Sequence, residues 1–88
     1  PVWRGGGSGE DATLERCYRR AFELAAAAGH TSIAFPAIST GVYGFPFERA
    51  TRIALRVVRE VLAQDARWTR VTLCFFSESD LATARSLA

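Results

Sequence analysis

The chain has 88 residues, enough for one small domain at most, and its 49% hydrophobic and 23% charged residues are ordinary for a globular protein. No apolar run approaches the ~18 residues of a membrane span, and the N-terminus lacks the charged-then-apolar order of a secretory signal. The net charge is only +2, and all eleven cations are Arg, interspersed with acids along helical segments. That pattern describes a solvated surface rather than the one-sided basic patch of a nucleic-acid binder.

Residues 4–9 are glycine-rich and read as a flexible loop. Glu10 and Asp11 follow at a helix start, where the dipole favours acidic charge. Leu14, Cys17, Tyr18, Ala21, Ala25 and Ala28 recur at steps of three and four, the period of an amphipathic helix. Gly29 is placed to end that helix in a left-handed cap. Ser32-Ile33-Ala34-Phe35-Pro36-Ala37-Ile38 reads as a buried parallel strand. Pro36 has no N–H to donate, so the strand is expected to leave the ladder near it.

Pro46 suits the first turn of the next helix. There Ala50, Ile53, Ala54, Val57, Val58, Val61 and Leu62 form one apolar stripe, opposed mostly by arginines. Val71-Thr72-Leu73-Cys74-Phe75-Phe76 reads as a second buried strand. Residues 77–80 read as a turn or cap, with Glu78 and Asp80 as capping candidates, before a short helix to Leu87. The order is helix-strand-helix-strand-helix, with parallel strands and a right-handed crossover. Two parallel strands make a poor domain by themselves. Together with the absence of Met and the start at Pro1, this leads us to expect part of a larger α/β domain.

Ligands of open α/β sheets bind beyond the carboxyl ends of the strands. After the first strand, Gly41 and Gly44 permit close backbone approach, Ser39 and Thr40 add hydroxyl donors, and the helix from Pro46 directs free amides toward the loop. Tyr43 and Phe45 can pack on a sugar or base. These features fit a phosphate site, and an ordinary strand-to-helix connection is the competing explanation. After the second strand, Phe76 is either a stacking ring or core, and core is favoured on hydrophobicity alone.

Other features carry less. Gly5-Gly6-Gly7-Ser8-Gly9 lacks the ending of a nucleotide-binding phosphate loop and reads as mobile surface. His30, the lone histidine, reads as a surface or capping residue. Ser39 lacks the context of an activated hydrolase serine. Cys17 and Cys74 belong to no CxxC pair or Cys/His cluster, so they are expected as buried free thiols of a cytoplasmic protein with no metal. No cofactor is expected.

The run from Ser32 through Ile38-Ser39-Thr40-Gly41-Val42-Tyr43-Gly44-Phe45-Pro46 closely resembles a signature of MacroD-type macro domains. Pro1-Val2-Trp3, Cys17-Tyr18-Arg19 and Arg70-Val71-Thr72-Leu73-Cys74-Phe75-Phe76 extend the resemblance over nearly the whole chain. The resemblance implies a three-layer α/β/α fold with a mixed central sheet, residues 1–88 being the C-terminal portion of one macro domain. It implies ADP-ribose or an ADP-ribosylated protein as partner. The implied activity is removal of ADP-ribose from modified proteins or hydrolysis of O-acetyl-ADP-ribose, and a non-catalytic ADP-ribose reader is the alternative.

Carried over by position, Ser39, Thr40, Gly41, Val42 and Tyr43 would wrap the diphosphate. Tyr43 would also pack on the distal ribose, and Phe76 would lie against the adenine. The family's Asn-Ala-Ala-Asn segment, its glycine-rich loop with an Asp, and its adenine-reading acid have no counterpart in this sequence. The resemblance therefore assigns no catalytic residue here and implies a complementary N-terminal segment as partner, the present chain being inactive by itself.

Overall fold

Three helices and two strands alternate along the chain: α1 (Glu10–Ala27), β1 (Ser32–Phe35), α2 (Phe47–Gln64), β2 (Arg70–Leu73) and α3 (Glu78–Leu87). The computed structural model describes residues 4–36, 46–75 and 77–87.

The inward face of α1 is set by Leu14, Tyr18 and Phe22, spaced four apart and buried. Cys17, expected on that face, is rotated to its margin and only half-buried. Tyr18 and Phe22 meet the ring of Phe35 with centroids 5.0 and 5.2 Å apart, and Phe22 meets Trp68 at 5.2 Å. Offset and edge-on rings at such distances add to the gain from burial alone. On α2 the buried positions are Ala50, Thr51, Ile53, Ala54, Val57 and Val58. Val61 is half-buried, while Leu62, expected in the stripe, is 43% exposed.

Helix α1 ends as its sequence foretells. Gly29 has φ +83, the Gly29 amide donates to the Ala26 carbonyl and the His30 amide to that of Ala25, both at 3.0 Å. These two bonds satisfy carbonyls that the last turn leaves open. At the start of α3 the cap is Ser77, whose hydroxyl accepts the Asp80 amide at 3.1 Å. Glu78 and Asp80 lie inside the first turn rather than capping it.

The strands pair in parallel, Ser32 opposite Arg70 through Phe35 opposite Leu73. The ladder is extended by the Thr69 amide to the Thr31 carbonyl and the Cys74 amide to that of Phe35, each at 2.8 Å. β1 stops before Pro36, as a residue without an N–H requires. Both strands are shorter than their apolar runs, and neither is buried on both faces. Ile33, Phe35, Val71 and Leu73 point toward the helices, whereas Ser32, Ala34, Arg70, Thr72 and Cys74 are exposed. Cys74 is therefore not the buried thiol expected.

Polar contacts between α1 and α2 advance in step along the two helices. Asp11 pairs with Arg49, Glu15 with Arg56 and Arg19 with Glu60, and the Arg67 guanidinium donates to the Ala26 carbonyl. The helices are thus parallel neighbours. Neither has a basic residue in its last turn, so Arg67, just beyond α2, supplies positive charge to the carbonyl end of α1. Short turns, residues 28–31 and 65–69, return each helix to the strand that follows. Both helices therefore run against the strands, and their N-termini lie at the strands' carboxyl ends.

Candidate functional site

The end at which helix N-termini and strand carboxyl ends coincide is where open α/β sheets receive ligands. Glu10 organises one side of it. Its carboxylate is buried, with 4% of the residue exposed, and accepts the amides of Arg4 and Gly6 at 2.9 Å and of Ser8 at 2.7 Å. Residues 4–9, expected as a mobile loop, are instead a series of bends wrapped around this carboxylate. Gly5 and Gly6, at φ +94 and +89, allow the backbone to turn its amides inward. The Gly6 amide, then that of Arg4, hold the Glu10 pKa down to about 2. Amide donors stabilise a carboxylate only in its charged form.

The next residue reaches the other helix. Asp11 accepts Arg49 Nε at 2.7 and 3.0 Å on its two oxygens, and Arg49 Nη2 at 2.7 Å. This fork-on-fork contact raises the Arg49 pKa and joins the first turns of α1 and α2. Further along, Arg19 lowers the Glu15 pKa, while Glu60, then Glu15, raise that of Arg19.

Beyond β2, Phe75 is half-buried and meets Phe47, the first residue of α2, edge-on at 5.9 Å. Leu73, Phe75, Ser77, Glu78 and Leu81 line a cleft of about 370 Å³ at this end. The residues to which the resemblance assigns the ligand are Ser39, Thr40, Gly41, Val42, Tyr43 and Phe76, and all six lie outside the described residues. The described structure supplies their flanks: Pro36 after β1, Pro46 before α2, and Phe75 and Ser77 on either side of position 76. Among the described residues, no three of the His, Cys, Asp and Glu side chains are grouped as metal ligands would be.

Sequence reasoning assigned Glu10 and Asp11 only to the helix dipole. The Glu10 cradle had a local signal, a carboxylate directly after a glycine run able to turn amides inward. The Asp11–Arg49 pair had none, since its partners are 38 positions apart.

The described elements define an α/β protein whose parallel strand-helix-strand unit presents helix N-termini and a cleft at the strands' carboxyl ends. The chain belongs to the Macro domain family, whose model matches residues 1–54. Over 87 residues it is 47% identical to the O-acetyl-ADP-ribose deacetylase of Klebsiella pneumoniae, covering 99% of this chain and 50% of the relative. Among solved structures it is similar to the Oceanobacillus iheyensis macrodomain with ADP, at 36% identity and a TM-score of 0.91, over 99% of this chain and 45% of that one. It is also similar to the Trypanosoma brucei macrodomain in complex with ADP-ribose, at 35% identity and a TM-score of 0.83, over 89% of this chain and 34% of that one. The fold is thus that of a macro domain, compatible with the three-layer α/β/α arrangement, and the chain spans about half the length of the curated relatives it matches.

Proposed function

We propose that the protein containing this chain binds ADP-ribose and hydrolyses it from modified proteins or from O-acetyl-ADP-ribose. The observation that carries this reading is the 47% identity, over nearly the full chain, to a relative named O-acetyl-ADP-ribose deacetylase. The Trypanosoma brucei macrodomain, similar in fold and crystallised in complex with ADP-ribose, supports the ligand class.

In this reading the segment 39–43 is the diphosphate clamp. It follows β1 at the strand's carboxyl end and leads through Pro46 into α2, whose first-turn amides and positive pole favour an anion there. Tyr43 packs on the distal ribose and Phe76 on the adenine. The complementary N-terminal segment of the domain supplies the groups that activate water, and residues 1–88 supply the clamp.

The test is release of ADP-ribose from a mono-ADP-ribosylated protein, and of acetate from O-acetyl-ADP-ribose, by the complete protein. Turnover of either substrate supports the hydrolase. Tight ADP-ribose binding without turnover of either would replace it with the reader.

A further inference from the structure

The two adjacent acids that open α1 grip different elements at the ligand end. Glu10 accepts three backbone amides of residues 4–8, which fixes the entry to the helix. Asp11 is thereby held one residue beyond an anchored backbone, and its carboxylate meets Arg49 in the first turn of α2 through three contacts of 2.7–3.0 Å. The Ala50 amide, the next along the backbone from Arg49, bonds to the Pro46 carbonyl at 2.9 Å and begins the helix ladder. The planar Arg fork fixes direction as well as distance, which a point charge does not.

We propose that Asp11 and Arg49 are positioning residues that set the N-terminus of α2 for the diphosphate of the ligand. The inference rests on the ADP-ribose reading above. Neither side chain is assigned a contact with the ligand. Each acts through the first turn of α2, where an anion is sensitive to small shifts because the dipole's effect fades within that turn.

The experiment uses the complete protein in six forms: unaltered, Asp11→Asn, Arg49→Gln, Arg49→Lys, the double variant Asp11→Asn with Arg49→Gln, and the exchanged pair Asp11→Arg with Arg49→Asp. ADP-ribose affinity is measured by calorimetry and Ala50 amide exchange by NMR, with thermal midpoints as a control of folding. Asp11→Asn and Arg49→Gln are each expected to weaken ADP-ribose about three- to fivefold, the scale of an exposed ion pair. Ala50 exchange is expected to quicken while the thermal midpoint hardly moves. The double variant should be no weaker than either single one, and the exchanged pair should recover affinity.

Arg49→Lys, which keeps charge but loses the fork, should fall between the unaltered protein and Arg49→Gln. An unaltered protein that binds ADP-ribose, with single variants that bind equally well, overturns this inference alone. Additive losses in the double variant, without recovery in the exchanged pair, overturn it too, because the residues would then act independently. An unaltered protein that does not bind ADP-ribose overturns the functional reading and this inference with it.

Discussion

Glu10 shows how one side chain converts a glycine-rich stretch into defined structure. Three amides converge on a buried carboxylate, and the folded-state pKa falls from 4.5 to about 2. Because the folded pKa is depressed, the stabilisation is fully present above 4.5 and is lost as pH falls toward about 2. Glu10→Gln removes that titration. The stability advantage of the unaltered protein over Glu10→Gln should therefore be constant near neutrality and shrink in the acid window, as read from urea midpoints at a series of pH values. A constant advantage down to the lowest pH would remove the charged cradle from the account.

At the same scale, Leu14 is fully buried in the hydrophobic core. Leu14→Ala should lower the stability of the complete protein by about 3 kcal/mol, the cost of a lost core side chain and its cavity, measured by denaturant unfolding.

Helix ends and strand limits follow from local chemistry. The Gly29 cap, the stop of β1 before Pro36 and the parallel crossover were all legible, because each depends on one residue's backbone or on chain order. At Gly29 an added Cβ would meet nothing within 4 Å, so only the left-handed backbone resists substitution. Gly29→Ala should therefore cost about 1 kcal/mol in thermal unfolding, with no loss of packing.

What the sequence did not disclose depends on distant partners. Phe22 joins the core because Phe35 and Trp68 stand opposite it, and Cys17 yields that face to Tyr18. An apolar strand run tells nothing about which face is covered. Ala34 and Cys74 are exposed because α1 and α2 lie on the same side of the two strands. The proposed clamp is a contiguous sequence motif, Ser39-Thr40-Gly41-Val42-Tyr43, whose residues lie outside the described ones. The Asp11–Arg49 pair that joins the first turns of α1 and α2 left no such motif, since an ion pair across 38 residues has no local pattern.

Across the whole molecule, two parallel helices brace one face of a parallel strand pair and bring their N-termini to the strands' carboxyl ends. The strand face away from the helices is exposed in a chain that spans about half the length of its curated relatives. If residues 39–43 are the proposed clamp, the glycine at position 41 is the residue whose replacement by a bulky acid would obstruct the diphosphate. Gly41→Glu should weaken ADP-ribose by about tenfold or more, roughly 1.4 kcal/mol, in competition binding, by bulk and by charge repulsion. The central claim is tested most directly by calorimetric titration of ADP-ribose into the complete protein. Saturable one-to-one binding that Gly41→Glu abolishes or sharply weakens is the predicted result. Absence of binding, or binding that Gly41→Glu leaves unchanged, would contradict it.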